Sequence, residues 1–337
     1  MGRMKLLSNV INSATNQVEG FCIVKNVQLK LNVKGAEYLD FTLADADGEI
    51  NAKLWDYQSA AHGTYSAGEI IKIRGTVNMF RDQEQLKIDR IRKMNDGDNV
   101  DIASIVAEPP IDGELLYKEL YDFASTFKDE DIAALTRYLL AANKSGIVKY
   151  PAALRLHHAH KSGLVFHTHT MLGVAKKIVE VYSSVYPELS SDLVYAGVIL
   201  HDIAKTSELE VSPLGIATAY TVEGQLLGHI TMGVNMIETA GAELGIPNEK
   251  IMLLAHILLA HHGVPEFGSP KHPMFPEAEI VSTVDTLDAK LYEMFDVLGG
   301  VPVGGFSDRQ WALDNRLLYR HGHGIVSSQG DDSDNGV

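Results

Sequence analysis

The sequence predicts a multidomain α and β protein, an N-terminal five-stranded β-barrel followed by an all-α domain. Three observations predict it. Between Val18 and Met94 apolar residues alternate in short runs broken by turn residues, the period of half-buried strands. The pair Pro109-Pro110 then sits in an acidic stretch that suits neither helix nor strand. Beyond residue 112 the apolar period lengthens to that of helices, and thirteen of the fourteen histidines lie after residue 150.

Bulk properties narrow the classes. With 337 residues, 45% hydrophobic and 22% charged, the chain is long enough for more than one buried core. The opening MGRMKLLSNV is too short and too quickly polar for a secretory signal, and IMLLAHILLA, residues 251–260, is about half a membrane span and carries a histidine. A cytoplasmic location with no membrane partner is expected. The single cysteine, Cys22, cannot form an internal disulfide and reads as a buried strand residue beside Phe21 and Ile23. The formal charge of −15 argues against indiscriminate coating of nucleic acid. That charge is uneven: residues 1–100 hold 13 basic and 13 acidic side chains, so residues 101–337 carry the whole excess. Any broad grip on a polyanion is therefore expected in the first hundred residues.

The barrel elements come first along the chain. GFCIVKNVQLKLN, YLDFTLAD, EINAKLWDY, EIIKIRGTVNMF and EQLKIDRIRKM read as strands, with Leu39, Phe41 and Leu43 alternating and Asp47-Gly48 as a tight hairpin turn. Five short antiparallel strands within about 80 residues fit a small closed barrel of the OB type, a module that often binds oligonucleotides. The candidate phosphate contacts are Lys25, Lys30, Lys34, Lys53, Arg74, Arg81, Lys87, Arg90 and Lys93. Phe41, Trp55, Tyr57 and Phe80 are the candidate stacking platforms. The competing reading places the aromatics in the barrel core and the lysines on an ordinary solvated face.

Residues 1–95 are thus expected to form the barrel and 96–112, NDGDNVDIASIVAEPPID, a linker. The domain from 113 to 322 begins with the helical patterns GELLYKELYDFASTF and DEDIAALTRYLLAANK and shows no convincing strand to about residue 318. The remainder, 323–337, is polar, acidic and expected to be disordered.

Histidine and aspartate carry the chemistry. His167, His201-Asp202, His229, His261-His262 and Asp285 each stand in or beside an apolar helical run. Burying so many separately would require separate compensation, whereas one metal centre would serve them all. Imidazole with carboxylate suits borderline divalent ions, and the lack of cysteine ligands argues against a structural zinc knot. Lys205, one turn beyond Asp202, is a candidate for neutralising a phosphate, against the alternative of an exposed lysine at a helix end. Lys271, in the loop GSPKHP, is a second candidate. His157, His158 and His160 are candidates for supporting the ligands or, equally, for packing, His256 reads as structural, and His321 and His323 as without a specific role.

The order of these residues resembles the HD-domain phosphohydrolases, and the whole chain from about residue 18 to 320 resembles the YhaM-like 3′-to-5′ exoribonucleases, which join an OB domain to an HD domain. PAALRLHHAHKSGLVFHT, LVYAGVILHDIAKTSEL, YTVEGQLLGHI, LLAHHGVPEFGSPKHP and VDTLDAKL carry the resemblance. His169, two residues after His167, departs from it by offering a second choice of first ligand. The resemblance implies two divalent ions, manganese foremost with iron or cobalt also compatible. In that arrangement Asp202 bridges, His167, His201 and Asp285 complete one ion, and His229, His261 and His262 complete the other. It also implies hydrolysis of single-stranded RNA, with DNA as a second polymer, to nucleoside 5′-monophosphates. Asp202 and Lys205 are the expected catalytic residues, and Lys53, Trp55, Arg74 and Arg81 the expected strand contacts on the barrel. Two rival readings are an HD phosphohydrolase acting on nucleotides or cyclic dinucleotides, and a non-catalytic RNA-binding protein. A homo-oligomer is compatible with all three.

Overall fold

The computed structural model describes residues 4–80, 83–95, 97–106, 111–154, 160–265 and 268–323. Six strands form the first region: β1 (Val10–Asn12), β2 (Gln17–Leu31), β3 (Glu37–Ala44), β4 (Glu49–Leu54), β5 (Ile70–Phe80) and β6 (Gln83–Lys93). A short helix, α1 (Ser59–His62), lies between β4 and β5. Pairing runs β2-β3-β4-β6-β5 and closes through β2–β5, which makes the expected five-stranded barrel, while β1 adds an edge to β2. One pair departs from the expectation of antiparallel strands: β4 and β6 are parallel. A ring of five cannot alternate direction throughout, so closing it forces one parallel pair.

The long β2 makes closure possible. Its first half, Gln17 to Ile23, pairs with β5, and its second half, from Ile23 to Leu31, pairs with β3, with a register irregularity between Val24 and Asn26 where it changes partner. Such irregularities bend a strand and sharpen its twist. The turn expected at Asp47-Gly48 forms, and Asp45 fixes it by accepting from the backbone N–H groups of Asp47 and Gly48 at 3.0 and 3.2 Å and from Leu6 at 2.9 Å. Cys22, Val24, Phe41, Leu43, Ile71, Ile73 and Leu86 fill the barrel. Burial pushes the Cys22 thiol far up, as suits a structural role.

The second region contains α2 (Gly113–Ala124), α3 (Glu130–Lys149), α4 (Gly163–Tyr182), α5 (Ser191–Leu200), α6 (Lys205–Glu208), α7 (Val222–Glu243), α8 (Asn248–Ala260) and α9 (Pro276–Gly299). Side chains cap several of these helices: Asp112 accepts from Glu114 and Leu115, Asp129 from Asp131 and Ile132, Ser190 from Leu193 and Thr221 from Gly224. One continuous apolar core, including Leu120, Leu135, Val165, Met171, Val198, Leu254, Ile257 and Val281, unites α2, α3, α4, α5, α8 and α9.

This region is not free of strands. β7 (Leu209–Val211) and β8 (Ala217–Tyr220) form a hairpin between α6 and α7. Ile216 in its turn is buried with Ile23, Ala44 and Ile70 of the barrel and with Ile105 and Val106 of the presumed linker. Within the expected linker, Ile105 and Val106 are anchored in this apolar patch, while Asp96 and residues 107–110 lie outside the described residues. The tail from residue 324 lies outside them as well. No described helix is long and apolar enough to cross a membrane.

Candidate metal centre

The helices α4 to α9 deliver polar side chains to one buried point. α5 is apolar on every side and runs through the core, because Gly197 lets it press close: a Cβ there would meet Ile257 Cγ2 at 2.8 Å and Val281 Cγ2 at 3.0 Å. Its C-terminus places His201, and the following turn places Asp202. His167 comes from the second turn of α4, Asp285 from the middle of α9, and His261 and His262 from the end of α8. α7 is broken at Gly228, with φ 70° and ψ 157°, just before His229. That positive φ is accessible to glycine and strained for other residues.

Asp202 lies at the centre. Its Oδ2 is 3.2 Å from His201 Nε2 and 4.0 Å from His167 Nε2. Its Oδ1 faces the other way, 3.4 Å from His229 Nε2 and 3.7 Å from His261 Nε2. Asp285 Oδ1 lies 3.3 Å from His167 Nε2 and 3.9 Å from His201 Nε2. The polar atoms of His167, His201 and Asp202 fall within 4.8 Å of one another, and those of His229, His261 and His262 do likewise.

The outward side of each ring explains its orientation. Nδ1 of His201 donates to Val198 O at 2.8 Å and that of His261 to Leu258 O at 2.7 Å. Nδ1 of His167 donates to Asp288 Oδ2 at 2.7 Å and that of His229 to Glu208 Oε1 at 3.0 Å. Carbonyl and carboxylate oxygens only accept, so the network assigns the proton to Nδ1 in all four rings and turns Nε2 inward. The inward atoms His201 Nε2, His229 Nε2, His261 Nε2 and Asp202 Oδ1 are buried and have no hydrogen-bond partner. Buried acceptors are normally satisfied. Lone pairs converging from separate helices fit a divalent cation, and the mixed imidazole and carboxylate set fits borderline ions rather than magnesium or calcium.

Electrostatics agree with that fit. Burial alone would raise the Asp202 carboxyl, yet Lys205, His201 and His229 hold it well below the usual carboxylate range. Burial likewise opposes ionisation of Asp285, and His167 and His201 more than offset it. Burial pushes His261 well below the usual histidine value, with His262 and His201 adding to it, so its ring is neutral at physiological pH. His262 is lowered too, by burial first. His167 is the exception: burial acts to lower it, but Asp285 and Asp288 prevail and hold it at about 9, so without a cation its inward Nε2 also carries a proton, which a bound ion would have to displace.

Lys205 is not an exposed lysine at a helix end. It is buried with Nζ 2.6 Å from Asp202 Oδ2, and although burial lowers it, Asp202 raises it further, so it stays charged. Lys271 is exposed, and its charge acts on His256, which accepts from the backbone N–H of Met274 at 3.1 Å. His169 points away from the cluster and pairs with Glu119 at 2.7 Å. His160 bonds its neighbour's carbonyl, Lys161 O, at 2.9 Å. His157 and His158 lie outside the described residues. Sequence reasoning missed Glu208 and Asp288. Asp288 had a signal, three residues after Asp285 on one helix face, whereas Glu208 reaches His229 only through the β7–β8 hairpin.

On the barrel, the structure divides the candidates. Phe41 is fully buried and belongs to the core, and half-buried Tyr57 packs on that core and donates its hydroxyl to Gly63 O at 2.8 Å. Trp55 is 37% exposed, packed against Tyr38 with ring centroids 4.6 Å apart and planes tilted by 30°, and Lys53 Nζ lies over both rings at 5.2 and 5.4 Å. Phe80 is also exposed. Lys25, Lys30, Lys87 and Lys93 pair with Glu49, Asp40, Asp89 and Glu69, and Arg74 donates to Gln17 at 2.8 Å. The four lysine charges are thus partly neutralised within the barrel itself. Arg81 lies outside the described residues.

Residues 165–290 match the family model of the HD domain, and the matched span contains every clustered residue from His167 to Asp288. HD domains are metal-dependent phosphohydrolases. Among solved structures, the chain is similar to a replication protein A heterotrimer bound to ssDNA, at 16% identity over 24% of this chain and 58% of that one, TM-score 0.20. It is similar to the S. pombe Stn1-Ten1 complex at 13% identity over 24% and 59%, TM-score 0.21. It is also similar to the second OB-fold domain of replication protein A from Methanococcus maripaludis at 16% identity over 25% and 88%, TM-score 0.20. The chain thus spans less than two thirds of the first two. At these scores the strand pairing of the barrel, and not the likeness, carries the fold.

Proposed function

We propose that the protein is a metal-dependent exoribonuclease that degrades single-stranded RNA from the 3′ end to nucleoside 5′-monophosphates. The observation that carries this reading is the division of Asp202: each oxygen faces a different group of inward imidazole nitrogens, the arrangement of a bridging carboxylate. In it, His167, His201 and Asp285 would hold one ion and His229, His261 and His262 the other. Two divalent ions so held, with manganese the first candidate, supply Lewis acidity at the phosphoryl oxygens and a nucleophile from water near neutral pH. Lys205, buried and charged beside Asp202, contributes fixed positive charge where charge develops on the phosphate. The buried, low-dielectric surroundings strengthen that effect.

The polymer comes from the barrel. Its closed five-strand pairing suits a strand-binding module, and the Tyr38–Trp55 pair with Lys53 above it offers a stacking surface joined to a cation. Arg74 is the proposed second phosphate contact. Lys271 is not needed for this reading. The 3′-to-5′ direction and the preference for RNA over DNA rest on the resemblance to the YhaM-like enzymes, and the cytoplasm is the compartment proposed with them.

The test is metal analysis of the purified protein together with digestion of 5′-labelled and 3′-labelled RNA, with manganese and with a chelator. A ladder from the 5′-labelled strand and immediate mononucleotide from the 3′-labelled strand is expected, abolished by the chelator. Equal or faster turnover of mononucleotides or cyclic dinucleotides would replace the polymer by a small substrate. Strand binding without hydrolysis would leave a non-catalytic binding protein.

A further inference from the structure

Each of the two groups of imidazoles contains one ring backed by a carbonyl and one backed by a carboxylate. On the first, His201 bonds Val198 O and His167 bonds Asp288. On the second, His261 bonds Leu258 O and His229 bonds Glu208. The carbonyl acceptors are three residues back on the same helix and orient the ring at no cost in chain topology. The carboxylates arrive from elsewhere: Asp288 lies 121 residues from His167 and Glu208 lies 21 from His229. Both carboxylates are themselves buried, at 9% and 7% exposure, which is unfavourable unless they are tied to a partner.

Glu208 does more than hold a ring. Its Oε1 accepts from the backbone N–H of His229 at 2.9 Å as well as from Nδ1 at 3.0 Å. The chain is non-helical at Gly228, so the N–H of His229 opens the next helical stretch and needs an outside acceptor, as at any helix start. One oxygen holding both donors of one residue fixes the ring relative to its backbone. A carboxylate also raises the basicity of the imidazole it accepts from and makes it a better donor to a cation.

Building on the two-ion reading, we infer that Glu208 and Asp288 are positioning residues, one for each metal position, and that each controls the affinity of its own position alone. Each bonds the outward Nδ1 of its ring, whereas Asp285 lies against the inward Nε2 of His167, so neither Glu208 nor Asp288 is a ligand in this assignment.

The experiment titrates manganese alone into the full chain, wild type and variant, and reads stoichiometry by calorimetry and free ion by electron paramagnetic resonance. Wild type is expected to take up two ions. Glu208→Gln and Asp288→Asn are each expected to keep one position at wild-type affinity and to weaken the other roughly 10- to 100-fold, and the double variant to weaken both. Circular dichroism verifies folding. If an amide variant unfolds, Glu208→Asp and Asp288→Glu, which keep the charge and displace it, are titrated with the same expectation. Two ions at unchanged affinity in each folded single variant, or equal loosening of both positions in either one, would overturn the inference. A wild-type protein that takes up no divalent ion would instead overturn the two-ion reading itself.

Discussion

The barrel and the helical region handle charge in opposite ways. On the barrel, Lys30, Lys87 and Lys93 keep much of their side chains in water while pairing with Asp40, Asp89 and Glu69. Such exposed pairs are worth little and are easily exchanged for another partner, which suits the strand-binding role proposed for the barrel. In the helical region Asp202, Lys205, Asp285 and Asp288 are withdrawn from water and held by named partners on separate helices. Burial there makes each charge costly alone and strong in company. If the proposed function holds, the contrast separates grip from chemistry, and removing a group should injure one and spare the other.

The largest separation is expected from Asp202→Asn. Hydrolysis should fall by roughly 10³-fold or more, the several kcal/mol that metal ions contribute, with RNA affinity unchanged. Manganese-dependent cleavage near the wild-type rate would remove Asp202 from the centre. Next comes Lys205→Met, which leaves a buried carboxylate without its cation and should cost about 3–5 kcal/mol in a denaturant titration with chelator present. Excess manganese should restore most of that loss, and an equal loss in both conditions would refute the shared role of Lys205 and cations.

On the barrel the effects should be smaller and confined to binding. Trp55→Ala should weaken RNA affinity by about 1–3 kcal/mol in fluorescence anisotropy without lowering the maximal rate. Lys53→Ala should reduce the slope of affinity against salt by about one unit, uniformly across sequences. A drop in maximal rate with either, at saturating RNA, would merge the two regions that the comparison separates. The smallest effect concerns Asp98, whose carboxyl the Arg92 guanidinium and the Asn95 N–H hold at about 2 against an ordinary 3.8. Its stabilising contribution is therefore complete above 3.8 and lost as pH falls through about 2. Carbon NMR of the Asp98 carboxyl should show that midpoint, and an ordinary value would dissolve the pair.

Much of this was legible along the chain. Imidazole and carboxylate in apolar helices are improbable without a common purpose, and the residues from His167 to Asp285 indeed meet at one point. The strands of the barrel were legible from period-2 runs, and Phe41 could have been placed inside from its alternation with Leu39 and Leu43. The β7–β8 hairpin was overlooked because its strands have only three and four residues, too few to show a period, although Pro213 and Gly215 mark its turn. Trp55 and Phe41 differ in exposure because Phe41 lies within β3 and Trp55 just beyond the end of β4, a boundary that composition does not reveal.

Residue type and spacing by themselves determined that β precedes α, that the one cysteine sits in a strand, and which histidines and aspartates are candidates to coordinate. They determine those things because side-chain chemistry and hydrophobic period are local properties. Only the tertiary structure decided which oxygen of Asp202 faces which imidazoles, that Lys205 is buried against it, and that Glu208 and Asp288 stand behind His229 and His167. Most of those relations join residues distant along the chain, and even Asp202 and Lys205, three residues apart, are buried together only by helices from elsewhere in the sequence; close packing of those helices fixes the few ångströms between them.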